Sequence, residues 1–114
     1  NVEREAFDAV VAINMIHISP WEATLGLMAG AKRALKSDGV LYTYGPYKRD
    51  GRHTAPSNVA FDASLKARNA AWGVRDVAEV ASAGEYCGLI LHEIVEMPAN
   101  NLSLVFRKTN ATSS

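Results

Sequence analysis

The sequence predicts an α/β fold in which three parallel strands are joined by helical crossovers and a final strand returns antiparallel. Three observations carry that prediction. Phe7–Ile13 is a nearly continuous apolar run, the pattern of a parallel-sheet strand covered on both faces. A stripe of helical period follows, and the β-branched and aromatic run Val40–Tyr44 then reads as a second strand. Near the carboxyl end, Leu89–Met97 and Leu102–Phe106 are separated only by Pro98-Ala99-Asn100-Asn101, a connection that makes the two runs an antiparallel hairpin.

The first strand ends at Asn14-Met15-Ile16-His17-Ile18, where polar groups enter the apolar pattern. Ser19 then reads as a helix N-cap, with Pro20 at the first helical position and Glu22 three residues on, completing a capping box. Trp21, Leu25, Met28, Ala31 and Leu35 recur at spacings of three and four, which predicts one buried stripe. Lys32, Arg33 and Lys36 suit the carboxyl end of the helix dipole, and Gly39 of Ser37-Asp38-Gly39 suits a left-handed cap. The second strand stops at Gly45-Pro46. A long polar loop, Tyr47–Pro56, follows, and long ordered loops in small domains tend to be functional. Ser57 reads as the cap of a second helix through Asn58, Phe61, Leu65 and Arg68. Asn69–Gly73 interrupts it, and Asp76–Tyr86 continues with Val77, Val80 and Ala81 on one face. Gly84 weakens that helix and Gly88 closes it.

The composition bounds the function. The chain has 114 residues, 12 basic and 12 acidic, with 48% hydrophobic residues, so one compact domain with a modest core is expected. Zero net charge supplies no excess to displace phosphate counterions and argues against a nucleic-acid partner. A single cysteine forms no internal disulfide, and no apolar run approaches the ~20 residues that span a bilayer. The absence of a signal peptide makes the cytoplasm the default location. The chain opens on Asn1 rather than Met, which raises the expectation that it is a fragment.

In an open α/β sheet, ligands bind beyond the carboxyl ends of the parallel strands. Three polar segments fall on that rim: 14–19 after the first strand, 45–52 after the second and 98–101 after the third. The topology brings them together although they are distant in sequence.

The rim residues also carry a resemblance. Asn14-Met15-Ile16-His17-Ile18-Ser19-Pro20-Trp21-Glu22, Tyr44-Gly45-Pro46-Tyr47 and Arg49-Asp50-Gly51-Arg52 resemble the signature of domain-of-unknown-function family 938, a class I methyltransferase-like family. Its animal members are called methyltransferase-like protein twenty-six. The likeness continues through Ser57-Asn58, Phe61–Leu65, Trp72-Gly73, Arg75-Asp76 and Glu96–Leu102, up to Lys108. Ser37-Asp38-Gly39 departs from the family's Pro-Gly-Gly. The resemblance implies a Rossmann-like class I methyltransferase fold of seven strands, of which residues 1–108 supply strands four to seven; the terminal run 109–114 itself reads as a disordered tail. The glycine-rich loop and the acidic residue that hold S-adenosylmethionine in such folds belong to the first half, and no G-x-G-x-x-G occurs here. The chain is therefore expected to be the carboxyl-terminal half of the domain, partnered by its own amino-terminal half and inactive alone, with its first strand an unpaired edge.

Methyl transfer from a sulfonium needs alignment, exclusion of water and sometimes a base. On the resemblance, Asn14, Met15 and Ser19 lie where the cofactor passes, and His17 faces the acceptor as a candidate catalytic base; a packed histidine bonded to backbone is the other reading. Tyr44, Pro46 and Tyr47 either wall an acceptor pocket or pack in the core. Arg49 and Asp50 either meet a charged acceptor or sit in a solvated loop. Asn58 and Asp62 lie on the next helix, where Asp62 and Lys66 also form an exposed i,i+4 pair. Asn100 and Asn101 offer amide groups on the rim or serve only the turn. His17, His53, His92 and Cys87 lack metal-ligand spacing, so no metal is expected. The leading expectation is S-adenosylmethionine-dependent methyl transfer to a small molecule. The alternative is a catalytically silent domain of the same fold that binds a metabolite or a protein. A nicotinamide-dependent enzyme is disfavoured by the antiparallel final hairpin.

Overall fold

The computed structural model describes residues 7–109. Its elements run β1 (Phe7–Ile13), α1 (Trp21–Ala34), β2 (Leu35–Gly45), α2 (Pro56–Arg68), α3 (Val77–Tyr86), β3 (Leu89–Met97), a 3₁₀ turn (Pro98–Asn100) and β4 (Asn101–Lys108). The four strands form one sheet in the order β1-β2-β4-β3. β1 and β2 are parallel, and β4 is antiparallel to both β2 and β3, so β3 runs with the first two. The expected α/β architecture is present, with the reversed last strand inserted between the second and third. Of the expected tail at 109–114, Thr109 is described and its N–H donates to the Gly88 carbonyl at 2.9 Å, while 110–114 lie outside the described residues. Among the described residues no helix is long and apolar enough to cross a membrane.

The period-2 pattern places Leu102, Leu104 and Phe106 of β4 opposite Gly45, Thr43 and Leu41 of β2 on one face. A bulge at His92 restores the phase of β3, so that Leu91 and Ile94 both face this layer beside Phe106 and Leu104. Met28 and Ala31 of α1 and Val77, Val80 and Ala83 of α3 cover the same face, closing the core. Gly84 lets α3 approach: a Cβ there would lie 2.9 Å from Phe106 Cε2 and 3.0 Å from the Leu89 carbonyl oxygen. Gly88 turns the chain at φ 80°.

Several local expectations are corrected. Helix α1 begins at Trp21, with Pro20 in the cap position and no side-chain cap; the Ser19 hydroxyl instead donates to the Met15 carbonyl at 2.6 Å. The buried stripe of α1 is Thr24, Met28, Ala31 and Ala34, and Leu25 is turned outward. Strand β2 starts at Leu35 rather than Val40, because Leu35 takes extended backbone, pairs with Phe7 and is fully buried. Asp38, not Gly39, adopts the left-handed conformation (φ 66°). Gly39 is needed for space: a Cβ would lie 2.8 Å from the Lys36 carbonyl oxygen. Helix α2 carries Pro56 at its first turn and Ala55 as cap, so Ser57 lies inside the helix. Strand β1 is covered less fully than its sequence suggests, since Val11 and Ile13 are more than 60% exposed.

Candidate functional site

The carboxyl ends of β1, β2 and β3 meet on one edge of the sheet, so the segments after Ile13, Gly45 and Met97 form a common rim. Direct bonds tie them. The Asn14 N–H donates to the Tyr44 carbonyl at 2.8 Å, and the Asn101 amide donates to the Tyr44 hydroxyl at 3.1 Å. Asn58, buried at the start of α2, donates through its one amide nitrogen to Thr54 Oγ1 (3.1 Å) and to the Asn100 carbonyl (3.2 Å). Among the described residues, four of the five non-glycine residues with positive φ, namely Asn14, Asp50, Ala99 and Asn100, lie on this rim. Asn and Asp tolerate that conformation, whereas Ala99 has no side chain to offset its cost of about 1–2 kcal/mol. Strain of this kind concentrates where the surrounding structure fixes a loop for a purpose.

His17 occupies the centre of the first segment and is fully buried. Its Nδ1 accepts the Arg75 N–H at 3.0 Å, and its carbonyl accepts the Gly73 N–H. Its ring meets Tyr47 edge-on at 4.6 Å. A lone pair engaged at Nδ1 places the proton of the neutral ring on Nε2, which has no hydrogen-bond partner among the described residues. Burial, chiefly, and the Arg75 charge lower its pKa from 6.5 to about 4, against a smaller opposing pull from Asp62. The ring therefore offers no free lone pair in this arrangement; its geometry is that of the packed histidine bonded to backbone, not of an exposed base. Gly45 makes room for it: a Cβ there would lie 2.6 Å from His17 Nε2 and 3.2 Å from Asn14 Oδ1.

Arg75 secures this arrangement; the sequence places it in the Arg75-Asp76 stretch of the family likeness but gives it no role. Its guanidinium donates to the carbonyls of Ser19 (2.9 Å), Ala71 (2.9 Å) and Ile16 (3.4 Å), and stands over the Trp21 ring at 5.6 Å. The loop from Tyr47 is fixed by an Asp50-Gly51 turn, with φ 54° and 78°, between the mutually bonded Arg49 and Arg52. Asp76 holds that turn by accepting the Gly51 N–H, and its other oxygen caps α3 at the Ala78 N–H (2.8 Å). An Asp-Gly pair and an Asp ahead of a helix are local signals for these two roles, although neither role is assigned from the sequence, where the helical pattern takes in Asp76 itself.

The remaining expected site residues separate into two groups. Arg49, Asn100 and Asn101 come together around a pocket of about 240 Å³, joined by Thr54, Glu96, Met97 and Leu102. Tyr44 adjoins it through its bond to Asn101, and Asn58 braces its wall from behind. Asn14 and Met15 remain partly exposed at the end of β1. Pro46 and Tyr47 are buried. The Tyr47 hydroxyl donates to Thr43 Oγ1 at 2.7 Å, and burial raises its pKa despite that bond, so Tyr47 is core and not pocket wall. Asp62 is also withdrawn from the rim. It accepts the Val74 N–H at 2.9 Å and faces His53 Nε2 and Lys66 Nζ, both at 3.2 Å. Burial alone would raise its pKa, but these donors outweigh burial and lower it. It staples α2 to the 73–75 segment.

The fold recurs in solved structures. A proposed O-methyltransferase from Nostoc punctiforme matches with TM-score 0.81 at 21% identity, over 92% of this chain and 33% of that one. An O-methyltransferase family 2 protein from Planctomyces limnophilus, solved with apigenin, matches with TM-score 0.81 at 15% identity, over 91% and 31%. CalO1, a methyltransferase of calicheamicin biosynthesis in its S-adenosylhomocysteine-bound form, matches with TM-score 0.75 at 17% identity, over 91% and 31%. The chain thus spans about a third of the length of each. The fold is that of part of a Rossmann-like methyltransferase domain. The family model described as "Protein of unknown function (DUF938)" matches residues 1–108, and the chain belongs to that family.

Proposed function

We propose that this chain forms the acceptor-side half of an S-adenosylmethionine-dependent methyltransferase that acts on a small molecule. The observation that carries the reading is the strained, cross-braced rim at the carboxyl ends of three parallel strands, with a metabolite-sized pocket at one end and Asn14 at the other. The residues present fit one flank of the cofactor. Among the described residues nothing hydrogen-bonds the Asn14 side-chain amide, which stands beside the Gly45 backbone at the point where β1 and β2 end. Asn14 and Met15 would hold that flank, and Ser19 acts behind them by fixing the Met15 carbonyl. Bound there, S-adenosylmethionine supplies an electrophilic methyl group.

The chain's own contribution is positioning. His17 and Asn14 both abut Gly45, and Arg75 bonds the His17 ring and the Ser19 carbonyl, so the 14–19 backbone that carries Asn14 is set before any ligand arrives. Arg49, Asn100 and Asn101 orient the acceptor around the pocket, with Tyr44 bonded to Asn101, Asn58 keeping Asn100 in place and Asp50 shaping the turn that carries Arg49. His17 serves as a positioning residue and not as the base.

The test is transfer of isotopically labelled methyl from S-adenosylmethionine into a small-molecule extract by the protein in its full encoded length. Labelled product, reduced about tenfold or more in Asn101→Ala, supports the reading. Cofactor binding without any labelled product supports the catalytically silent alternative.

A further inference from the structure

We infer that the pocket between the 49–54 loop and the 96–102 turn takes a small molecule carrying both a carboxylate and an amine. This deepens the methyl-transfer reading by giving the acceptor a chemical class, and rests on it only for the claim that the ligand is methylated. Arg49 and Glu96 line the same pocket of about 240 Å³. Among the described residues neither side chain has an ion-pair or hydrogen-bond partner, and the two are not paired with each other. The rest of the lining is neutral: Thr54, Asn100 and Asn101 are polar, and Met97 and Leu102 are apolar.

Charge selects the ligand. A guanidinium beside neutral amides favours a carboxylate, which it can meet with two parallel bonds. An acidic residue, Glu96, in the same lining favours an ammonium and disfavours a polyanion such as a nucleotide phosphate. A ligand with one charge engages only one of the two side chains and forgoes the second attraction, so a zwitterion is preferred. The pocket lies below the ~300–1,000 Å³ of drug-sized sites, so the ligand is of amino-acid size. Met97 and Leu102 provide an apolar patch for its hydrocarbon part. The wall is made in advance, because Asn58 fixes the Asn100 carbonyl and the Asn101 amide nitrogen is spent on Tyr44 and Pro98, leaving its oxygen free to accept.

The experiment is calorimetric titration of the protein in its full encoded length with L-leucine and with 6-aminohexanoate, which space the two charges differently. The controls are 4-methylpentanoate, which lacks the amine, and isoamylamine, which lacks the carboxylate. At least one zwitterion should bind saturably, about tenfold or more tighter than either control. Arg49→Ala and Glu96→Gln, both exposed positions whose variants should melt as the parent does, should each weaken that binding about tenfold. Equal binding of a singly charged control, indifference to both substitutions, or no saturable binding of either zwitterion overturns the inference. S-adenosylmethionine is titrated into the same samples. Cofactor binding without zwitterion binding overturns this inference alone; zwitterion binding without cofactor binding overturns the methyl-transfer reading alone.

Discussion

Replacing Gly45 by Ala tests the packing beneath the rim. The added Cβ would sit 2.6 Å from His17 Nε2, 2.7 Å from His17 Cδ2 and 3.2 Å from Asn14 Oδ1. Ordinary contact begins near 3.4 Å, so the imidazole must retreat by most of an ångström. It has nowhere free to go: the ring is fully buried, bonded at Nδ1 to the Arg75 N–H and set against Tyr47. Overpacking of this kind costs about 1–3 kcal/mol. Gly45 is not in the left-handed region, so backbone strain adds nothing. The assay is urea unfolding of the full-length protein as Gly45→Ala, as His17→Ala and as the double variant. Removing the ring removes the clash, so the Gly45→Ala cost should shrink to below about 0.5 kcal/mol in the His17→Ala background. Equal costs in the two backgrounds would refute the claim that Gly45 is glycine to accommodate His17.

Three further outcomes follow from the same geometry. His17 has a folded pKa of about 4 against an ordinary 6.5, so the unfolded chain binds the extra proton first; its contribution is complete above pH 6.5 and is lost as pH falls towards 4, amounting to about 3 kcal/mol. Denaturation midpoints between pH 4 and 7 check this, and His17→Asn should flatten the slope. Arg75→Ala should destabilise by about 2–3 kcal/mol, since three carbonyls lose a charged donor and Trp21 loses its cation; Arg75→Lys should fail to restore it in thermal melts, because one ammonium cannot reproduce the fork. Ala99→Gly should stabilise by up to about 1 kcal/mol, the relief of its left-handed backbone (φ 62°) exceeding the added chain entropy of glycine, measured as a raised melting temperature with zwitterion binding unchanged.

The parts of the fold legible in the sequence were those set by local patterns. Val40–Tyr44, Leu89–Met97 and the Pro98–Asn101 turn announced themselves through β-branched runs and turn residues, and the hairpin fixed the reversed last strand. What failed was decided by contacts between distant residues. Ser19 looks like a cap, yet its hydroxyl serves Met15 because Pro20 already occupies the cap position. Leu35 continues the helical period, yet pairing with Phe7 pulls it into the sheet. The rim was legible as topology, and Arg49, Asn100 and Asn101 meet there as the polar segments suggested. Tyr47 and Asp62 did not follow, because aromatic and acidic residues near a strand end serve packing and stapling equally well. The bonds from Arg75 to the 16–19 segment span more than 50 residues of sequence, and no local pattern foretells them.

The most direct test of the account is calorimetric titration of S-adenosylmethionine into the protein in its full encoded length, with Asn14→Ala alongside. The account predicts micromolar binding that weakens about tenfold in Asn14→Ala while the melting temperature of the unliganded variant holds. Absence of binding by the folded parent protein would contradict it.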